Sequence, residues 1–100
     1  MGVEILTNSE NMIAKIDGDI DHHTAAEIRR VVDESINSLR PKRLNLDFSG
    51  VQFMDSSGIG LIMGRFKLMR ATEGSMKVIN IPKRLERMIK MSGLTCLGIF

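Results

Sequence analysis

The hydrophobic residues of this chain change their spacing repeatedly, and this alternation limits the folds that the chain can adopt. Leu44, Leu46 and Phe48 alternate with polar residues, as in a strand with one buried face. From Ile59 onward the apolar residues recur at intervals of three and four, as on one face of a helix. Strand and helix patterns follow one another along the chain in the order ββαβαβα. This order predicts an α/β fold with a mixed sheet and helices packed on it.

Turn and capping signals give the expected bounds of these elements. The predicted strands cover residues 3–6, 12–17, 44–48, 76–79 and 97–100, and the predicted helices cover residues 24–40, 59–73 and 81–92. Thr24 and Glu27 have the spacing of a capping box, so the first helix is expected to begin with Thr24 as its cap. Ser49 and Gly50 are expected to form a turn after the third strand. Gly74 is expected to end the second helix in a left-handed conformation.

Composition narrows the class of protein. One hundred residues, 43% hydrophobic and 26% charged, are typical of one globular domain, so a single domain over residues 1–100 is expected. A net charge of +2 without Trp or Tyr offers no basic-aromatic surface for stacking bases, and no direct nucleic-acid partner is predicted. The longest apolar run is too short to cross a membrane, and no membrane partner is expected. The single Cys96 excludes an internal disulfide and fits a cytoplasmic location.

Two serines lie between an acid and a glycine where a predicted strand leads into a predicted helix. The segment is Asp55-Ser56-Ser57-Gly58. Small polar residues at this point place hydroxyl groups beside the unpaired N–H groups of the first helical turn. These N–H groups and the helix dipole both favour a phosphate group. Ser56 or Ser57 is therefore interpreted as a helix cap, a nucleophile or a phosphate acceptor.

Catalytic and metal sites find little support in the sequence. A nucleophilic Ser56 would need a base, and His22 and His23 are the only imidazoles. The Gly-x-Ser-x-Gly elbow is absent, because Met54 stands two residues before Ser56. His23 and Glu27 are four residues apart, but no other Cys or His completes a tetrahedral metal set. Neither an enzyme nor a metal site is predicted.

A glycine cluster follows the serines and offers a nucleotide-binding module as an alternative. Gly58, Gly60 and Gly64 match phosphate-binding loops only loosely. The dinucleotide fingerprint requires glycine where Met63 stands, and the Walker pattern requires lysine where Arg65 stands. The glycines are instead interpreted as positions where the helix packs closely on the sheet or where another protein's backbone approaches. No cofactor is predicted.

Four segments of the chain together carry a resemblance to a known family. They are Asp21-His22-His23-Thr24-Ala25, Phe53-Met54-Asp55-Ser56-Ser57-Gly58-Ile59-Gly60, Gly64-Arg65 and Met91-Ser92-Gly93-Leu94. In this order they resemble the STAS-domain anti-sigma factor antagonists of the sporulation type, over nearly the whole chain. The resemblance implies an α/β STAS fold, with a four- to five-stranded mixed sheet flanked by helices. The general-stress type of antagonist remains an alternative, since His22-His23 alone favour the sporulation type.

The resemblance also implies a function without catalysis. Members of this family bind an anti-sigma factor that is also a serine kinase, and this binding frees the sigma factor. The kinase then phosphorylates the antagonist, and a phosphoserine phosphatase restores it. In the family motif the acceptor follows the aspartate, which makes it Ser56 here, with Ser57 as the second choice. Asp21 matches a loop acid implied at the kinase interface, and Asp55 belongs to the same motif as Ser56.

The second predicted helix offers a surface for the partner. Its core stripe is expected to be Ile59, Ile62, Met63, Phe66 and Met69. Leu61 and Leu68 lie off this stripe and flank Arg65, so all three are expected to be exposed. Leu61 and Arg65 are therefore predicted to contact the partner, and Leu61→Glu is expected to weaken binding without disturbing the fold. The resemblance adds Ser57 and Gly58 of the serine motif to the predicted partner-binding residues. The resemblance further implies a final helix, which would follow Phe100.

Overall fold

A computed structural model describes residues 2–100, which form a four-stranded sheet and three α-helices. The strands are β1 (Gly2–Asn8), β2 (Asn11–Ile20), β3 (Arg43–Met54) and β4 (Ser75–Ile79). The helices are α1 (His22–Leu39), α2 (Ser56–Ala71) and α3 (Lys83–Met91), and a 3₁₀-helix covers Leu94–Leu97. The predicted α/β class and the predicted order of these elements are confirmed.

The sheet is mixed, with the strand order β1-β2-β3-β4. β1 and β2 are antiparallel, because a tight turn joins them and Asn8 pairs with Asn11. Ser9 takes a left-handed conformation in this turn, with φ of 58°. β2, β3 and β4 are parallel, because a helix connects each strand to the next. The carboxyl ends of β2 and β3 therefore lie side by side at one edge of the sheet.

The core lies between one face of the sheet and the helices. Alternate residues of three neighbouring strands are buried on this face: Met12, Ala14, Ile16, Leu44, Leu46, Phe48, Met76 and Val78. α1 covers them with Ile28, Val32 and Ile36, which recur every four residues on one side of the helix. Burying such a side chain stabilises the fold by about 1.5–3 kcal/mol relative to exposing it. The alternation seen in the sequence of β3 therefore reflects a sheet with one apolar face.

Two expected boundaries near the serines are wrong. β3 does not turn at Ser49 and Gly50 but continues to Met54, with irregular pairing to β2 on the way. A Cβ at position 50 would lie 2.6 Å from Oδ1 of Asp17, so glycine allows the two strands to approach here. α2 begins at Ser56, three residues before the predicted start at Ile59. The strand therefore leads into the helix with only Asp55 between them.

Three end positions also differ from prediction. The cap of α1 is Asp21, and Thr24 is the third helical residue of the capping box. The left-handed residue after α2 is Glu73, with φ of 63°, while Gly74 has no positive φ. Residues 97–100 form no strand, although the carbonyl of Ile99 accepts a hydrogen bond of 2.7 Å from the Val78 N–H. Gly93, which lies between α3 and the 3₁₀-helix, takes the left-handed conformation with φ of 81°.

Candidate functional site

The two acids of the sequence motifs lie together at the carboxyl edge of the sheet. Asp21 directly follows β2 and Asp55 directly follows β3, and the last residues of these strands, Ile20 and Met54, are paired. The Asp55 N–H donates a hydrogen bond of 3.1 Å to the carbonyl of Ile20. Segments 34 residues apart are therefore joined directly by the parallel pairing of β2 and β3.

Asp21 is held in place because it caps α1. Its Oδ1 accepts hydrogen bonds of 2.9 Å from the N–H groups of His23 and Thr24. The Thr24 hydroxyl oxygen accepts a hydrogen bond of 2.8 Å from the Asp21 N–H, which completes a reciprocal capping box. The hydrogen bond from the Thr24 backbone is the largest effect that holds the pKa of Asp21 below its usual value. Asp21 is thus a fixed negative charge beside the Asp55 segment.

Asp55 caps α2, and the two serines that follow it differ in their exposure to solvent. Oδ1 of Asp55 accepts a hydrogen bond of 2.7 Å from the Ser57 N–H. Ser56 is the first residue of α2 and is exposed, whereas Ser57 is half-buried. Gly58 is buried, and a Cβ on it would overlap the side chain of Met54. Gly58 therefore lets α2 start close to the end of β3, and of the two serines only Ser56 is exposed.

The predicted exposure of Leu61 and Arg65 is wrong. Leu61 is 4% exposed and Arg65 is 6% exposed, while Leu68 is half-buried. The buried face of α2 is Gly58, Leu61, Ile62, Arg65 and Met69, which is rotated by about a quarter of a turn from the predicted stripe. The reason is that α2 packs against α1 as well as against β3 and β4.

Arg65 of α2 and Asp33 of α1 form an ion pair between the two helices. Nε of Arg65 lies 2.8 Å from Oδ1 of Asp33. Burial raises the pKa of the Asp33 carboxyl and lowers the pKa of the Arg65 guanidinium. The positive charge of Arg29 lowers the pKa of Arg65 further. The pair is therefore largely removed from water, and the single close contact does not fully compensate the loss of hydration.

A groove of about 390 Å³, the α1–α2 groove, runs between the two helices. α1 lines it with His22 and Arg29 among others, and α2 lines it with Ser57, Gly60, Gly64 and Arg65. Leu61 also reaches its wall. Among the predicted partner-binding residues, Ser57, Leu61 and Arg65 therefore share one groove. Asp21 and Asp55 hold the starts of the two helices that form it.

Phe53 lies at this edge and belongs to the motif that contains the serines, but no role was predicted for it from the sequence. It is 55% exposed, although it lies in a strand directly before the buried Met54. An exposed aromatic ring beside polar groups is typical of protein interfaces. The alternation within β3 could have identified Phe53 as outward-facing, had the strand been extended past Gly50.

The two histidines lie at the start of α1. His22 and His23 are exposed, and within residues 2–100 neither ring forms a hydrogen bond to Ser56 or Ser57. The carboxylate of Asp21 is directed to backbone N–H groups rather than to an imidazole. The same described residues contain no group of three or more His, Cys, Asp or Glu side chains that could hold a metal ion.

Comparison with known proteins identifies the family. The STAS-domain model matches residues 3–98, so the chain belongs to the STAS-domain family. An anti-sigma F factor antagonist from Paenibacillus polymyxa is 39% identical over 83% of this chain and 71% of its own length. An anti-sigma-B factor antagonist from Bacillus subtilis is 30% identical over 94% of this chain and 84% of its own length. Within the STAS family the chain therefore belongs with the anti-sigma factor antagonists, as the motifs predicted.

Solved structures agree with this assignment. The unphosphorylated form of the anti-sigma factor antagonist SpoIIAA matches 93% of this chain and 82% of its own, with a TM-score of 0.82 and 26% identity. The phosphorylated form of SpoIIAA matches with a TM-score of 0.75 and the same 26% identity, over 94% of this chain and 86% of its own. In residues 2–100 no helix is long and apolar enough to cross a membrane.

Proposed function

We propose that the unphosphorylated chain binds an anti-sigma factor that is also a serine kinase, and that phosphorylation of Ser56 ends this binding. The observation that carries the proposal is the exposure of Ser56 at the first position of α2, next to the capping carboxylate of Asp55. A kinase can reach this hydroxyl without opening the fold. The half-buried Ser57, whose N–H is bonded to Asp55, is the weaker candidate.

The switch works through local charge. Phosphorylation adds about −1.5 to −2 charges to the Ser56 hydroxyl. Asp21 and Asp55 already place two carboxylates at the same edge of the sheet. A partner surface that accommodates a neutral serine there meets a concentrated negative patch after phosphorylation. The helix dipole at the start of α2 favours the added charge within the domain, so the fold persists while the interface is lost.

The remaining parts of the cycle follow from this assignment. The chain acts as a substrate and a binding partner and has no catalytic activity of its own, which is supported by its similarity to regulatory relatives. A phosphoserine phosphatase restores the unphosphorylated form, and the cycle takes place in the cytoplasm. Similarity to antagonists of both sigma-F and sigma-B regulators makes the sporulation type the first candidate and the general-stress type the second.

Phosphate mapping tests the proposal directly. The protein is incubated with ATP and the anti-sigma factor kinase of the same organism, and the phosphate is located by mass spectrometry. We expect one phosphate on Ser56, its loss in Ser56→Ala, and its retention in the matched control Ser57→Ala. Phosphate on Ser57 in the wild-type protein would show that Ser57, and not Ser56, is the phosphate acceptor. Binding of the kinase without any phosphorylation would show that phosphorylation does not control this binding.

A further inference from the structure

The two edge strands of the sheet differ in what covers them. β4 forms one edge, and on its outer side the carbonyl of Ile99 accepts a hydrogen bond of 2.7 Å from the Val78 N–H. β1 forms the other edge and pairs only with β2. An uncovered edge strand is a template for pairing with another chain. β1 is therefore a candidate interaction surface, on a different side of the sheet from Ser56.

Alternate residues of β1 direct their backbone groups away from the sheet. Asn8 and Asn11 flank a two-residue turn, so they exchange both hydrogen bonds of their pair. The pairing of β1 with β2 is regular from this turn onward, so Val3, Ile5 and Thr7 point their N–H and C=O groups to the free edge. Within residues 2–100 these groups have no hydrogen-bond partner. The free edge can therefore pair with a further strand.

β1 also lacks the features that usually protect an edge strand. Such strands are typically short, interrupted by a bulge, or marked by proline or lysine. β1 has seven residues, contains neither proline nor lysine, and pairs with β2 without a register shift. Leu6 is 47% exposed and lies opposite Ile13, on the face of the sheet away from the core. The free edge thus offers an apolar side chain together with its backbone groups.

The side chains of β1 select one pairing with a second copy of the chain. Two copies of the strand related by a two-fold axis are antiparallel, and their outward-pointing residues must lie opposite each other. The registers with extensive overlap place Leu6 opposite Leu6, Glu4 opposite Leu6, or Glu4 opposite Glu4 of the second copy. The first buries two exposed leucines against each other and places Glu4 opposite Asn8. The second places a carboxylate against leucine, and the third opposes two carboxylates, which is destabilising.

We propose that β1 pairs antiparallel with β1 of a second copy through residues 4–8, with Leu6 on the two-fold axis. Ile5 and Thr7 of each copy exchange backbone hydrogen bonds with Thr7 and Ile5 of the other. The result is one continuous sheet with four strands from each copy. Five paired residues are far fewer than the roughly 20–30 residues a side of a standard interface, so the dimer is weak and forms reversibly at about 0.1 mM or above.

This dimer leaves the candidate phosphate acceptor free. The paired segment lies next to the turn between β1 and β2, whereas Asp21 and Ser56 lie beyond the opposite end of β2. Because the two copies of the sheet are antiparallel, their Ser56 residues lie at opposite ends of the joined sheet. The inference therefore does not depend on the proposed function, and its test needs no anti-sigma factor.

Disulfide crosslinking tests the register. In a Cys96→Ser background, Leu6→Cys places two thiols at a non-hydrogen-bonded pair, where the Cα atoms lie about 4.5 Å apart and a disulfide can form. We expect oxidation by diamide to give a dimer on a non-reducing gel. The matched control is Glu4→Cys in the same background, an exposed position on the same face of β1, which is expected to stay monomeric. A crosslink through Glu4→Cys and none through Leu6→Cys would overturn the proposed pairing.

Sedimentation equilibrium tests the dimer without any crosslink. The wild-type protein, measured from about 0.05 to 1 mM, is expected to show a reversible monomer–dimer equilibrium. Leu6→Lys brings two ammonium groups together on the axis and is expected to sediment as a monomer. The matched control is Met91→Lys, which adds the same charge at a position of α3 that is 77% exposed and is expected to dimerise as the wild-type protein does.

A proline tests the backbone pairing separately from the leucine contact. Thr7→Pro removes one outward N–H, which no group within residues 2–100 uses, and proline is tolerated at such positions of edge strands. We expect this variant to be monomeric with unchanged circular dichroism, and Thr7→Ala, which keeps the N–H, to dimerise. A wild-type protein that is monomeric over the whole concentration range would overturn the inference. A dimer that persists in Leu6→Lys would also overturn it, because another surface would then form the contact.

Discussion

Phosphorylation of Ser56 should abolish partner binding while leaving the fold almost unchanged. Ser56 is exposed at the first position of α2, where the dipole stabilises a negative charge by about 0.3–1 kcal/mol. The neighbouring carboxylate of Asp55 opposes this gain, because it already caps the same helix through Ser57. We therefore expect the free energy of unfolding to change by less than about 1 kcal/mol, or about 4–8 °C in Tm.

The effect on binding should be much larger. Two like charges 4 Å apart repel each other by about 1 kcal/mol in water and about 4 kcal/mol at a partly desolvated protein surface. A phosphate of about −1.5 to −2 charges that meets one acidic or desolvated partner group therefore costs several kcal/mol. Since about 1.4 kcal/mol is a factor of ten, affinity should fall at least a hundredfold. The phosphate thus acts on the interface and hardly on the domain.

Two measurements on the same sample test this separation. The protein phosphorylated by its kinase is purified, its Tm is measured by differential scanning calorimetry, and its affinity for the anti-sigma factor by titration. Ser57→Ala, phosphorylated in the same way, is the matched control and should behave as the wild-type protein does. A large fall in Tm on phosphorylation would refute the argument from local charge, because binding would then be lost through unfolding. Unchanged affinity would refute the switch itself.

Three further changes test the site and its surroundings. Leu61→Ala should reduce the free energy of unfolding by about 2–4 kcal/mol in urea titrations, and Leu61→Glu by more, because Leu61 is buried; an unaffected Leu61→Glu variant would contradict this burial. Phe53→Ala should weaken anti-sigma factor binding about tenfold with little change in Tm, since the ring is 55% exposed; equal affinity in titration would remove Phe53 from the interface. The lowered pKa of Asp21 means that its cap stabilises the fold above pH 3.8, the unfolded value, and that this contribution is lost as the pH falls through the folded pKa. Asp21→Asn, which keeps a capping side chain, should therefore show a smaller loss of stability between pH 5 and pH 2.5 than the wild-type protein does, and identical pH profiles would show that the charge of Asp21 is not involved.

Much of the architecture could be predicted from local patterns. The alternation of Leu44, Leu46 and Phe48 and the helical spacing after Ile59 gave the correct element types, because each element buries one face. The predicted ends of these helices and strands were less accurate. Asp21 rather than Thr24 caps α1, and Ser49-Gly50 continues β3, because the pairing with β2 extends the strand past a sequence that favours a turn in isolation.

The position of the candidate phosphate acceptor could also be predicted from the sequence, because it depends on a local strand-to-helix pattern. A strand pattern followed by Asp55 and two serines places small polar residues at a helix start, and Ser56 is indeed the first residue of α2. The family motifs then selected Ser56 over Ser57, a choice that remains a prediction. The difference in exposure between the two serines, which supports it, depends on how α2 meets the end of β3 at Gly58.

By itself, the sequence determined the types of the four strands and three helices, the family and the acidic serine segment, because these depend on residues close together in the chain. The tertiary structure decided which side of α2 is buried. A single stripe of apolar residues predicts one contact surface, but α2 packs against α1 as well as against the sheet. Leu61 and Arg65 are therefore buried, Arg65 pairs with Asp33, and the α1–α2 groove opens beside Gly60 and Gly64. No periodicity within one helix can specify a second helix as its neighbour, because that contact depends on packing between distant segments.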